Sequence, residues 1–258
     1  MRKLALIASA LALSAAMASA EDIKVGVSVG EHAEIMEQVA KVAKDKGLNI
    51  DIVEFTDYVV PNQALNDGDL QANSFQHQPY LDQQIKDRGF DLVAIGKTIT
   101  TPMGVYSEKL KSLDDLPEGG KVALPNDPTN GGRALLLLQD KGVITLAEGT
   151  GLTPTPLDVV ENAKNLKFLE LDAAQLPRAL ADADVAIINT NYALEAGLNP
   201  EKDAIAIEAA ESPYANIIVV RSADKDAPWA KTLVDSYHSD AVKKYIQDKY
   251  TGAVIPAW

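Results

Sequence analysis

Apolar and polar positions along this chain alternate with a period of two in some stretches and near 3.6 in others, the signatures of strands and amphipathic helices. Residues 23–28 (I-K-V-G-V-S) alternate and predict a first strand. Residues 33–46 place Ile35, Val39 and Val42 on one helical face, with Gly47 fitting the position just past the end. Residues 49–55 read as a second strand. Pro61 suits a first helical turn, and Gly68 between Asp67 and Asp69 marks the end of that helix. Another strand follows, then a loop carrying Phe75, His77 and Tyr80, a helix over 79–88 closed by Gly89, and a strand over 91–98. Strands alternating with helices predict right-handed βαβ units and a largely parallel sheet.

The rhythm breaks at 98–106, which is extended and carries no helix signal. A second α/β series follows: strands at 121–125, 166–171, 185–189 and 204–208, and helices at 129–141 and 174–181. It breaks again at Ser212-Pro213. A strand at 214–221 and a helical stretch from Pro228 to about 250 close the chain. The fold class expected is therefore α/β, with two lobes joined by two extended crossover strands. Residues 21–101 with 215–258 form the first lobe, and 102–214 the second.

Residues 1–20 change the picture of where the chain works. Arg2 and Lys3, an apolar run over 4–16, and Ala18-Ser19-Ala20 before Glu21 have the layout of a secretory signal peptide. Removing them shifts the formal charge from −13 to −15, because two cations leave and no acid does. A chain this acidic lacks the basic face that nucleic acid or anionic lipid requires. There is no cysteine. The expectation is a periplasmic protein without disulfides, without a lipid anchor on a cysteine, diffusing freely as a monomer.

Two stretches carry candidate chemistry. Between Phe55 and Leu81 the chain gathers Tyr58, Phe75, His77 and Tyr80, although aromatics make up only 5% of it. Asp57, Asn62, Asn73, Gln76 and Gln78 lie among them and are costly to bury without partners. Loops at the carboxyl ends of strands in open α/β sheets collect ligands at one rim, so these aromatics are expected to form one wall of a small-molecule site. The stretch Asp127-Pro128-Thr129-Asn130-Gly131-Gly132-Arg133 sits between a strand and a helix. Helix N-termini attract anions, glycines admit close backbone approach, and a guanidinium grips a carboxylate through two bonds. A capped helix with a solvated arginine fits the same pattern. Asn189-Thr190-Asn191-Tyr192 follows a strand, and Asn216 interrupts an apolar one, where an amide must find partners. A bond from Asn216 to neighbouring backbone is the commoner arrangement.

Catalysis has little to stand on. The chain has no cysteine nucleophile and no G-x-S-x-G, H-E-x-x-H, G-x-G-x-x-G or phosphate-loop pattern. His32, His77 and His238 are widely spaced. No metal, cofactor or enzymatic activity is expected.

Five stretches together, F-T-D-Y-V-V-P-N, N-S-F-Q-H-Q-P-Y-L, D-P-T-N-G-G-R-A-L-L-L-L, N-Y-A-L-E-A-G-L-N-P and S-P-Y-A-N-I-I-V-V-R, resemble the NlpA/MetQ family of substrate-binding proteins of methionine ABC importers. The resemblance runs in order through the mature chain. It implies a type II periplasmic binding-protein fold that closes on methionine and delivers it to a membrane permease and its ATPase. It further implies that Arg133 holds the α-carboxylate and that Asn191 and Asn216 orient the α-amino and carboxylate groups. Tyr58, Phe75 and His77 are implied around the side chain, with Tyr80 and Tyr192 beside them. Thioether sulfur on aromatic rings gains roughly 0.3–1.5 kcal/mol per contact. L-methionine is the ligand expected first; D-methionine, a methionine-containing dipeptide or another small amino acid is the alternative. Many members resemble lipoproteins with a cysteine at the cleavage point, which this chain lacks.

Overall fold

The computed structural model describes residues 21–210 and 213–258. The leader expected at 1–20, and Ser212 of the second expected break, lie outside the described residues. In chain order the elements are β1 (Glu21–Ser28), α1 (Glu31–Lys44), β2 (Leu48–Phe55), α2 (Val60–Asp67), β3 (Ala72–His77), α3 (Gln78–Arg88) and β4 (Leu92–Lys97). Two short strands follow, β5 (Ile99–Thr100) and β6 (Gly104–Tyr106). Then come β7 (Lys121–Pro125), α4 (Pro128–Asp140), β8 (Thr145–Leu146), β9 (Val159–Glu161), β10 (Lys167–Leu171), α5 (Leu176–Ala179), β11 (Val185–Ile188), α6 (Thr190–Glu195), α7 (Pro200–Asp203) and β12 (Ala206–Ile207). The chain ends with β13 (Asn216–Arg221), α8 (Pro228–Tyr237), α9 (Asp240–Tyr250) and β14 (Ile255–Pro256).

Each lobe is built on one five-stranded sheet, ordered β2-β1-β3-β13-β4 in the first and β10-β7-β11-β6-β12 in the second. Both sheets bury both faces, and the strand alternation shows how. On β7, Val122 and Leu124 join the cluster beneath α4, while Ala123 joins the cluster beneath α5 and α6. On β11, Val185 and Ile187 face the first of these clusters, and Ala186 and Ile188 the second. On β13, Ile218 and Val220 face α1 and α8, and Ile217 and Val219 face the Leu65, Leu81 and Phe90 side. Burying each such aliphatic side chain is worth roughly 1.5–3 kcal/mol, so each lobe has a core of its own.

The sheets are mixed, a departure from the largely parallel arrangement expected. β1 pairs in parallel with β2 and β3, but β13 runs antiparallel to both β3 and β4. In the second sheet, β6 is antiparallel to β11 and β12. β13 returns from the other lobe instead of through a helix packed on its own sheet, so the crossover rule that enforces parallel neighbours does not act on it. The chain passes between sheets after β4 and again before β13. A third connection went unforeseen: β14 pairs with β5, Ile255 with Thr100, so the C-terminal end braces the first crossing. The short β8–β9 hairpin, α6 and α7 were not expected either. The helix read over 174–181 is a 3-10 turn followed by the short α5.

Candidate functional site

A hollow lies between the lobes, lined by His32, Tyr58, Phe75, Gln76, His77, Tyr80, Thr101, Asn130, Arg133, Asn189, Asn191 and Asn216. Seven of the eight residues singled out in the sequence, from Tyr58 to Asn216, therefore face one space. Tyr192 does not. Its ring lies 5.1 Å from that of Tyr58, and its hydroxyl donates to the Thr56 carbonyl at 3.1 Å.

The first-lobe wall is built by β3 and the turn into α3. Phe75 and His77, expected in a loop, sit on β3 itself, and Tyr80 lies in the first turn of α3. The strand persists to His77 because β13 pairs along it, with Asn216 opposite His77. His77 then caps α3: its Nδ1 accepts from the Tyr80 backbone N–H at 3.2 Å. Pro79 occupies a first-turn position where its missing N–H costs nothing. Because Nδ1 accepts, the ring proton belongs on Nε2, which faces Asn130 Oδ1 at 3.2 Å. Phe75 meets Tyr58 at a tilt, with ring centroids 6.1 Å apart, and Tyr80 edge-on, with centroids 6.0 Å apart. Behind it, Asn62, Asn73 and Gln76 satisfy one another, with Asn62 Nδ2 donating to Gln76 Oε1 at 2.8 Å and Asn73 Nδ2 to Asn62 Oδ1 at 2.9 Å. Their amides are thus spent on structure.

The second-lobe wall is polar. Asp127 caps α4 by accepting from the Asn130 N–H at 2.9 Å. Asn130 and Arg133, one turn apart, then face the hollow. A β-carbon on Gly131 would come 2.7 Å from the Pro125 carbonyl oxygen, and one on Gly132 2.6 Å from that of Leu152. These glycines let α4 pack against its own lobe; the close ligand approach expected of them is not their role. Asn189 Nδ2 donates to Asn130 Oδ1 at 3.0 Å, and the Tyr58 hydroxyl donates across the cleft to Asn191 Oδ1 at 2.5 Å. On the residues that line the hollow, three buried atoms keep no hydrogen-bond partner among the described residues: Asn189 Oδ1, an acceptor, Asn191 Nδ2, a donor, and His32 Nδ1. Asn216, expected inside a strand, is the first residue of β13.

Arg133 corrects a further expectation. Its two-pronged grip is already engaged by Glu208, with Nε donating to Oε1 at 3.0 Å and Nη2 to Oε2 at 2.5 Å. Nη2 also donates to the Thr101 carbonyl at 3.0 Å, and the guanidinium lies 4.4 Å above the Tyr214 ring. Nη1 makes no hydrogen bond among the described residues.

Burial sets the protonation of the titratable neighbours. Desolvation, followed by the Arg133 charge, lowers the His77 pKa to about 3. Desolvation lowers His32 to about 4 and pushes the Glu31 carboxyl up to about 8. All three are neutral near pH 7. Tyr214 is pushed up to about 12, chiefly by burial. Sequence reasoning overlooked His32, Gln76, Thr101, Asn130 and Asn189 as lining residues. Asn130 and Asn189 lay within stretches already singled out, so their position just past a strand was a usable signal.

Comparison with known proteins follows this geometry. The profile of the NlpA lipoprotein family matches residues 23–258. The chain belongs to the NlpA lipoprotein family. It is similar to the D-methionine-binding lipoprotein MetQ of Escherichia coli K12, at 55% identity over 92% of this chain and 88% of that protein. The MetQ of Salmonella typhimurium LT2 is 54% identical over the same shares. Among solved structures, a nutrient binding protein from Burkholderia cenocepacia bound to methionine is 57% identical, with a TM-score of 0.90 over 92% of this chain and all of that one. The resemblance read from the five motifs and the two-lobed fold are upheld. The expectation of an unanchored protein is not. The NlpA family is one of lipoproteins, and the relatives carry that name. Free diffusion had been inferred from one missing residue type, which does not outweigh a family of lipid-bearing proteins.

Proposed function

We propose that this NlpA-family protein is the substrate-binding component of an ABC importer and captures methionine between its lobes. One observation carries the reading: an unpartnered acceptor, Asn189 Oδ1, and two unengaged donors, Asn191 Nδ2 and Arg133 Nη1, meet in a hollow whose other wall is aromatic. Buried polar atoms are rarely left alone. A zwitterion supplies the complements, its ammonium to Asn189 and its carboxylate to Asn191 and Arg133. Asn216, at the start of β13, lines the same hollow. The thioether lies among Tyr58, Phe75, His77 and Tyr80, and Tyr192 supports Tyr58 from behind. The residues bind and orient; none is assigned a catalytic step.

The names of the relatives and the methionine in the Burkholderia structure support this ligand. The name of the E. coli relative makes the D enantiomer the second ligand to test. In this reading residues 1–20 are the export signal, and the protein works on the periplasmic side with a permease and its ATPase as partners. The two closing bodies are 21–101 with 215–258, and 102–214. Native mass spectrometry of the purified protein tests the reading. The expected spectrum holds a fraction heavier by one methionine, or gains one on adding L- or D-methionine. A spectrum unmoved by either, but moved by another amino acid, rejects the assignment.

A further inference from the structure

Glu208 lies outside the hollow's lining, yet it determines what Arg133 presents there. Its backbone N–H donates to the Met103 carbonyl at 2.9 Å, and its Oε2 accepts from the Met103 N–H at 3.2 Å, which ties it to the edge of the second sheet. From that fixed position it occupies the Nε–Nη2 edge of Arg133. Thr101 takes another Nη2 proton, Tyr214 covers one face of the guanidinium, and Nη1, on a side chain that lines the hollow, is left without a hydrogen bond among the described residues. Arg133 and Glu208 are 3% and 12% exposed at the side chain, so their charges interact through little water.

Arg133 is the one residue among the lining side chains with a fixed charge, since His32 and His77 are held neutral by burial. A lone buried guanidinium selects anions. A guanidinium already matched by a carboxylate leaves the cleft with no net charge to offer, while Nη1 still offers a directed donor. A ligand with net charge then carries that charge into the cleft uncompensated, and burying an unpaired charge is costly. Asp127, half-buried behind Asn130, adds a negative field and disfavours anions further.

Resting on the methionine-binding reading above, we propose that Glu208 is a positioning and specificity-determining residue. By neutralising Arg133 and turning Nη1 alone towards the ligand, it restricts the site to α-amino-acid zwitterions and excludes α-hydroxy and other amine-free carboxylates of the same shape.

Isothermal titration with methionine and with 2-hydroxy-4-(methylthio)butanoate, an isosteric monoanion, tests this. The wild-type protein is expected to bind the hydroxy acid at least tenfold more weakly; equal binding overturns the proposal without any variant. In Glu208→Gln, which keeps size but removes charge, the preference for methionine should shrink at least tenfold. Glu208→Asp retains the charge and should keep most of the wild-type preference. A Glu208→Gln preference within threefold of wild type overturns the proposal, as does an equal loss in both variants. Circular dichroism establishes that each variant is folded, and where Glu208→Gln is not, the wild-type comparison still decides. Wild-type protein that binds methionine with an unaltered ratio in Glu208→Gln sinks this inference alone, whereas no methionine binding at all sinks the underlying reading and this one with it.

Discussion

The two walls of the cleft are made in opposite ways. The first-lobe wall comes from one continuous stretch, between Tyr58 and Tyr80, in which a loop, a strand, a cap and a helix turn bring four rings into tilted and T-shaped contact. The second-lobe wall comes from the first turns of α4 and α6, joined by Asn130 and Asn189, 59 residues apart, and steered by Glu208, 75 residues beyond Arg133. Rings tolerate small displacements because dispersion is soft and undirected. Amides and guanidinium groups act through directed bonds, so their wall needs partners that fix every angle. In the proposed reading one wall supplies apolar area, and the other decides which head group is accepted.

The largest expected break is Arg133→Ala. It removes the cationic donor and leaves Glu208 buried without its partner, so methionine affinity should fall by about 3 kcal/mol or more, read by calorimetry, with the far-ultraviolet dichroism unchanged. Retained affinity places the carboxylate elsewhere.

A second test concerns the exception on the aromatic side. Glu31, beside His32, is buried with both carboxylate oxygens unpartnered among the described residues. Its folded pKa is raised from 4.5 to about 8. Its contribution to stability is full below about pH 4.5 and is lost as pH rises towards 8, on the order of a few kcal/mol. Above about pH 7, where both imidazoles are largely neutral folded or unfolded, urea midpoints of the wild type should fall as pH rises to 8, and those of Glu31→Gln should fall less. His32 and His77, with lowered values, act in the other direction: their contribution holds above about 6.5 and is lost as pH falls towards 4 and 3. A wild-type profile flat between pH 7 and 8 contradicts the buried-acid account.

Asn189→Ala sharpens the comparison at its polar end. It removes the proposed ammonium acceptor and one bond to Asn130, and affinity should fall by roughly 1–3 kcal/mol. The smallest change is Tyr58→Phe. It keeps the ring but deletes the bond to Asn191, one of the direct ties between the walls, beside that of His77 to Asn130. A loss of about 0.5–1.5 kcal/mol in methionine affinity is expected. A greater loss than for Asn189→Ala would make the hydroxyl, not the ring, the working part of Tyr58.

The same contrast explains what the sequence disclosed. The aromatic wall was legible because its rings are close in the chain and stand out in an aromatic-poor composition. The strands and long helices were legible from periodicity, since β1, α1, β7 and α4 bury the faces their patterns predict. Strand direction was not, because β13 takes its neighbours from residues far away in the chain. Phe75 and His77 read as loop for the same reason: only pairing with β13 keeps that stretch extended. Arg133 was visible within its motif, but its engagement was not. Glu208 sits on a short strand edge with nothing in its local pattern to link it to a helix in another part of the lobe. Gly131 and Gly132 looked like ligand-facing glycines because a tight helix–loop contact and a ligand contact ask the same thing of a sequence.

The central claim is that the two walls read the two ends of one zwitterion. A crystal structure of the protein grown with methionine tests it most directly. The account predicts the carboxylate within hydrogen-bond reach of Arg133 Nη1 and Asn191 Nδ2, the ammonium at Asn189 Oδ1, and the sulfur among Tyr58, Phe75 and Tyr80. Methionine lying reversed, with its sulfur against Arg133 and its ammonium among the rings, or held outside this cleft, would contradict it.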